Sequence, residues 1–572
     1  MLYPKRNEYR QFIDLSGFWD FRFDPNNEGL NTNWSSGINE SKPIAVPASW
    51  NEQFTEGLNF LGPAWYQTFF TVPWVWNNHK IFLRFGSVNY LAEVWLNGEN
   101  IGSHEGGHLP FEFEISSKLK SQNNCLVVRV DGQLGHDRVP PAGRPLSYPS
   151  VNFDFFPYCG IHRPVLLYSV PHDAIKDITV KTSIEDNIGK INVEIECYKE
   201  VFGIAKLTLK RNDAEQSIEI PIDSKKIVAE IHVSNPLLWT PDSPNLYNLT
   251  VELLKENEIF DSYSLNIGIR TIEVKGDQLL LNGKPIKLIG FAKHIDFPIT
   301  GRGYVPAVII KDYSLMKWVG ANSFRTSHYP YSEQMMDLAD KLGFLVIDET
   351  PAVGLTFNKD YIERHLTLCK QYTRELITRD KNHPSVIMWS LANEPHSSIR
   401  AKEFFRQLYD LAKGLDQTRL VTIVGMVGVS DRYFEFFDIV CQNRYYAWYT
   451  ESGRIEEGNE LLSQDLDNYY KKYQKPIIIS EFGADTIPGL HSYPPEMFTE
   501  EYQVEFIKNY LEVLNSKHYV VGQHIWNMCD FKTPQNITRV GGMNYKGCFT
   551  RDRRPKMVAH FLRRLWNKSE EK

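Results

Sequence analysis

Val386-Ile387-Met388-Trp389-Ser390-Leu391-Ala392-Asn393-Glu394-Pro395 is the stretch on which the reading of this chain turns. Its first six residues are apolar except Ser390, the composition of a strand buried on both faces. An amide, a carboxylic acid and a proline end it. In a parallel α/β barrel that end of a strand lies on the catalytic face. Pro476-Ile477-Ile478-Ile479-Ser480-Glu481-Phe482-Gly483 repeats the design. Two buried strands, each delivering one glutamate at its C-terminal end, are what an acid/base and nucleophile pair for glycosidic cleavage with retention requires. A glutamate that merely ion-pairs at a barrel mouth accounts for either one alone, less readily for both.

Working outward, the chain after Ile272 alternates strand and helix, the texture of a (β/α)8 barrel. Strands are expected near 286–290, 321–326, 344–348, 386–391, 420–425, 439–443, 476–481 and 520–527, with helices such as 332–342, 362–378 and 399–415. On that count Glu394 follows the fourth strand and Glu481 the seventh. Before the barrel the texture is all β. Short alternating strands at 18–23, 65–70, 80–85, 92–96 and 125–130, with Asn97-Gly98 as a hairpin signal, indicate an antiparallel, jelly-roll-like sandwich. Strands at 178–180, 191–196, 205–209 and 247–251 suit a second, immunoglobulin-like sandwich. The expected domains are therefore 1–170, 171–271 and 272–572, and a chain of 572 residues is long enough for three cores.

Bulk properties exclude several function classes. The net charge is −7 with a pI of about 6.2, and no basic run exceeds Arg551-Asp552-Arg553-Arg554, so no nucleic-acid partner is expected. No run of about 18 apolar residues exists, so no membrane span is expected. The N-terminal residues are polar, unlike a signal peptide, and the seven cysteines show no CxxC spacing. Reduced thiols and a cytoplasmic location follow as expectations. There is no HExxH, no phosphate loop and no metal-type carboxylate cluster, so neither metal nor cofactor is expected; Asp348-Glu349 is expected to pair with Arg325.

Leu15-Ser16-Gly17-Phe18-Trp19, Val94-Trp95-Leu96-Asn97-Gly98 and Gly160-Ile161-His162-Arg163-Pro164-Val165 mark the N-terminal region. Thr326-Ser327-His328-Tyr329-Pro330, Asp348-Glu349-Thr350, Asn393-Glu394-Pro395, Asn443-Arg444-Tyr445-Tyr446 and Glu481-Phe482-Gly483-Ala484-Asp485-Thr486 mark the barrel. In this order they resemble the β-glucuronidases of glycoside hydrolase family 2 over nearly the whole chain. The resemblance implies that Glu394 is the general acid/base and Glu481 the nucleophile of a retaining exo-enzyme acting on small-molecule or oligosaccharide glucuronides. It also implies a homo-oligomer, dimer or tetramer.

The remaining site residues are carried over from that resemblance. Asn393 is expected on the sugar 2-hydroxyl and Tyr445 on Glu481. Asn544 and Lys546 match an Asn-x-Lys element that reads the C6 carboxylate, with Arg539 as a second positive charge; Met543 stands as an extra residue before Asn544. An ammonium and an amide on a carboxylate discriminate against a neutral hydroxymethyl group. Asp154 is expected to reach the sugar from the N-terminal domain, His294 and His328 to bond hydroxyls, Asn443 and Tyr449 to line the site, and Trp526 to stack under the ring. Trp448 is placed toward the aglycone and Trp389 in the core. The alternatives are a β-galactosidase or β-galacturonidase on the same scaffold, or a carbohydrate-binding protein with a dead barrel. Fewer than ten residues are read between the third strand's loop and the next helix near Tyr361, so no lid is expected there and the mouth should be open.

Overall fold

The computed structural model describes residues 1–143, 151, 153–429 and 433–567. Two antiparallel sheets form the N-terminal sandwich. One holds Gln11–Asp14, Val165–Val170, Lys80–Phe85 and Phe111–Glu114; the other holds six strands, from Lys42–Val46 at one edge to Glu99–Glu105 at the other. Alternate side chains of both sheets, among them Phe21, Tyr66, Leu83, Val94, Val128 and Leu167, meet in one apolar layer.

The second sandwich departs from expectation in one respect. The segments at 191–196 and 205–209 belong to a single bent strand, Ile188–Arg211, which pairs with Ala214–Ser234 and shifts register between Glu196 and Val201. The apolar alternation survives on both sides of that irregularity (Ile191, Val193, Ile195, then Ala205, Leu207, Leu209), so a bulge joins what the polar interval makes look like two strands.

Eight parallel strands close the barrel in sequence order: β1 (Leu288–Ala292), β2 (Ser323–Arg325), β3 (Leu345–Glu349), β4 (Val386–Asn393), β5 (Leu420–Gly425), β6 (Val440–Asn443), β7 (Ile477–Glu481) and β8 (Val520–Trp526). Every residue of β3 to β8 is buried, as strands covered on both faces must be. The helices that cover them are α1 (Pro306–Val319), α2 (Glu333–Leu342), α3 (Ile362–Asp380), α4 (Ala401–Leu415), α5 (Ile455–Tyr473), α6 (Glu500–Ser516) and α7 (Met557–Trp566). Ser332 and Thr499 cap α2 and α6 by accepting backbone N–H bonds. Between β5 and β6 the described residues hold only a short 3₁₀ turn, Tyr433–Glu435, so the strict alternation breaks there. Trp389 lies inside β4, fully buried, with its indole N–H on Asp416 (3.0 Å), a core role as expected.

Among the described residues no helix is long and apolar enough to cross a membrane. All seven cysteines are free thiols, and six are buried.

Candidate active site

The site is assembled at the C-terminal ends of the barrel strands. Glu481 ends β7 and is buried; one carboxylate oxygen pairs with Arg325 at the end of β2, and the other accepts the Tyr445 hydroxyl at 2.8 Å. Arg325 is itself fully buried. Its guanidinium also meets both oxygens of Glu349, at the end of β3, at 2.8 Å. Glu349 further accepts Ser390 (2.8 Å) and faces His328 Nδ1 (2.8 Å). The expected pairing of Arg325 thus falls on Glu349, while Asp348 accepts the Thr326 hydroxyl at 3.0 Å.

Glu394 stands one residue past β4. Its backbone is left-handed (φ 49°), and its N–H reaches the Val424 carbonyl at 2.8 Å. That conformation is unfavourable for a side chain with a Cβ and turns Glu394 out of the strand direction. Its carboxyl accepts Asn443 Nδ2 at 2.8 Å, and the same amide N–H group lies 3.3 Å from Asn393 Oδ1. Ser480 fixes Asn443 from the other side by donating to its Oδ1 at 2.9 Å. Arg325 Nη1 lies 3.4 Å from Asn393 Oδ1, so one network joins both glutamates.

Burial pushes both carboxyls above the ordinary carboxylate range, Glu481 to about 8; Arg325 and Tyr445 pull Glu481 back down, and the charge of Glu394 works the other way. The two negative charges oppose each other. A guanidinium and a phenol at hydrogen-bond distance favour the charged form of Glu481, whereas among the described residues Glu394 has a carboxamide N–H and a more distant Arg325.

A second group of polar side chains adjoins the first. Met543–Asn544 pairs with Phe531–Lys532 as a short hairpin, so the extra Met543 is absorbed into a strand. Asn544 and Lys546 are both fully buried, while Met543 and Tyr545 alternate to the half-exposed side. Lys546 pairs with Asp485 and donates to the Tyr449 hydroxyl (2.9 Å). Arg539 is clamped by both oxygens of Asp154 (2.8 and 2.6 Å) and also donates to Tyr449 (2.6 Å). Asn544 donates to Asp154 at 2.8 Å. Lys546 is therefore not left unpaired when no acid is bound, because Asp485 already neutralises it. The Tyr445 and Tyr449 rings, 5.1 Å apart, join the two groups.

The other expected residues meet at the same cleft. His328 stacks on Trp526 at 5.0 Å, and His294 lies 5.1 Å from Trp526, edge on. Burial holds His294 well below its usual value, so it is neutral; its Nδ1 faces the Tyr329 hydroxyl (3.0 Å) while its Nε2 has no partner among the described residues. Trp448 corrects an expectation. It is buried, packed on Phe498 (5.1 Å) and Tyr502, and Lys546 lies over its ring at 5.2 Å, so it braces the lysine and does not face an aglycone. Tyr449 is the exposed ring there. The sequence reading gave no role to Asp485, Ser390, Ser480 or Phe155, the last packed against His294 and His328. Asp485 lies within a quoted motif, and a buried acid beside a buried base was the available signal.

Among the described residues one trio, Asp337, Asp340 and His383, is close enough to hold a metal ion. It lies at the opposite end of the barrel, ahead of β4, where His383 pairs with Asp340 (2.6 Å).

Three family models match the chain: the sugar binding domain of glycosyl hydrolases family 2 over residues 12–171, the family's central domain over 173–270, and its TIM barrel domain over 272–570. A Paenibacillus borealis β-glucuronidase is 40% identical over 598 residues, covering 100% of this chain and 99% of that protein. The structure of β-D-glucuronidase from Dictyoglomus thermophilum matches with a TM-score of 0.90 at 44% identity, covering 99% of each chain. That of the Ruminococcus gnavus enzyme in complex with D-glucaro 1,5-lactone matches with a TM-score of 0.94 at 37% identity, again over 99% of each.

Proposed function

The chain belongs to glycosyl hydrolases family 2, as a glycoside hydrolase of the β-glucuronidase kind, and from that premise we propose that it removes terminal β-D-glucuronic acid with net retention, Glu394 serving as acid/base and Glu481 as nucleophile. The observation that carries the assignment is the unequal surroundings of the two carboxyls. Arg325 and Tyr445 contact Glu481 and favour its charged form, and among the described residues no cation lies at hydrogen-bond distance from Glu394.

In the first step Glu394 protonates the departing oxygen while Glu481 attacks C1, through an oxocarbenium-like state. Once Glu481 is esterified its charge is gone, the repulsion that kept Glu394 protonated falls, and Glu394 takes the proton of the incoming water. Asn393 and Asn443 lie where the sugar's hydroxyls meet the pair, and His294 and His328 line the wall above Trp526. Lys546, Asn544 and Arg539 read the C6 carboxylate. Asp485 and Asp154 keep that basic group near neutral charge, so the incoming acid binds by displacing or sharing these carboxylates. A neutral hydroxymethyl group has nothing with which to compete for them, and this disfavours the galactosidase alternative.

Azide rescue tests the assignment. Glu481→Ala should lose nearly all activity and regain part of it with azide, yielding the α-glucuronyl azide. Glu394→Ala should spare nitrophenyl substrates with very good leaving groups and return the β-azide. Equal loss of Glu394→Ala activity on every leaving group would remove it as the acid.

A further inference from the structure

Behind β1, where the N-terminal sandwich meets α1, lies a cavity of about 30 Å³ lined by Arg163, Lys293, Arg302 and Arg553 together with Asp296 and Asp312. All four cations are buried, none more than 6% exposed. Asp312 is shared by Arg553 (2.8 Å) and Lys293 (3.3 Å). Asp296 is already matched by Arg551 at 2.6 Å. Among the described residues no carboxylate lies within ion-pair distance of Arg163 or Arg302. Arg163 donates to the carbonyls of His108 (2.7 Å) and Pro330 (2.5 Å). Arg302 reaches the Phe156 carbonyl at 3.3 Å and lies over the Tyr329 ring at 4.2 Å.

Two positive charges are therefore buried around this cavity with no carboxylate at ion-pair distance among the described residues, an arrangement that is costly unless compensated. Among the described residues Arg302 Nε, moreover, has no hydrogen-bond acceptor, and Lys293 Nζ faces Asp312 at 3.3 Å without good hydrogen-bond geometry. The strain shows in Arg163, which burial and the neighbouring Arg379 depress to about 9. The N-terminal end of α1, whose Val305, Val308 and Ile309 also line the space, adds partial positive charge. The space is large enough for one monatomic anion or about two waters. Water would satisfy the orphan N–H groups but leave the charges standing.

We propose that this cavity binds a chloride-sized monovalent anion, with Lys293 and Arg302 as its ligands. The site adjoins the catalytic cleft. Lys293 precedes His294 in the chain, and Arg302 stacks on Tyr329, whose hydroxyl meets His294 Nδ1 at 3.0 Å. An anion that fixes Lys293 and Arg302 thus steadies the cleft's histidine wall.

The wild-type protein, prepared free of halide, is melted in gluconate, chloride and bromide at constant ionic strength, and crystals are grown in bromide. Chloride and bromide should give a saturable upward shift of a few degrees that gluconate does not. Arg302→Met should abolish the shift, and a bromide anomalous peak should appear between Lys293 and Arg302. Equal melting in all three salts, or a shift that survives in Arg302→Met, overturns the proposal. If Arg302→Met does not fold, the wild-type crystal decides: a peak supports the site, and water there with no peak refutes it.

Discussion

At the scale of single residues, each site group is tuned by a neighbour. Tyr445 donates to the charged form of Glu481, so Tyr445→Phe removes a bond worth about 1.5–3 kcal/mol, and turnover should fall about 10- to 100-fold. The same change lets Glu481 hold its proton more tightly. Attack needs the ionised form, which is lost below that pKa, so the acidic limb of the kcat/KM profile should move to higher pH. A profile that drops in height without moving would limit Tyr445 to positioning. Lys546 is the stronger test of specificity. A charge-assisted bond to a buried carboxylate contributes about 2–4 kcal/mol, so Lys546→Ala should cost roughly 30- to 1000-fold on a nitrophenyl glucuronide. Trace galactoside hydrolysis should stay unchanged. Near-full glucuronide activity would transfer the reading of the carboxylate to Arg539.

At the scale of elements, short strands bring distant partners side by side, and both ends of the barrel use this. The last turn of α2 presents Asp340 to His383 in the turn before β4, and Asp340 also accepts the Ser385 N–H at 3.0 Å. Burial works against a charged imidazole there, but the charge of Asp340 outweighs it and raises His383 to about 9. The folded value lies above the unfolded one of about 6.5, so this contribution to stability is complete below about pH 6.5. It is lost as pH rises through about 9. Denaturant titrations across that window should show stability falling more steeply in the wild type than in His383→Asn. Parallel curves would show that the pair contributes nothing. At the opposite end the strands were legible from their apolar runs, because burial on both faces leaves no other composition. The single bent strand Ile188–Arg211 was not, because a bulge and a turn share the same polar residues.

At the scale of the whole molecule, the mouth of the barrel decides which aglycones enter. Residues 350–361 join β3 to α3 and fold down against the barrel. Ala352, Val353, Leu355 and Phe357 are buried, and Val353 and Gly354 are tied to Asn393. Exposed Ile399, Met426, Tyr449, Ile537 and Val540 lie in the segments that follow four of the barrel strands, β4, β5, β6 and β8. Exposed apolar groups on these segments suit bulky leaving groups. The ratio of kcat/KM for a glucuronate-terminated oligosaccharide to that for a nitrophenyl glucuronide should therefore be at or above one. A strong preference for the small substrate would show that a loop or another subunit closes the mouth.

The order of the parts is legible in the chain's local patterns. Periodicity marks two sandwiches and a barrel, and two apolar runs, each closed by a polar end, place Glu394 and Glu481 on one face of it. Strand composition suffices for this, because side-chain period and burial are local properties of the chain. Tertiary structure alone decided which charges meet. Arg325 sits between Glu349 and Glu481, Asp485 neutralises Lys546, and Asp154 reaches Arg539 across 385 residues of sequence. No spacing encodes those pairs. They exist because closing the barrel and docking the N-terminal sandwich on it bring remote strand ends and loops within hydrogen-bond distance, and in that dry space an unpaired charge is too costly to leave alone.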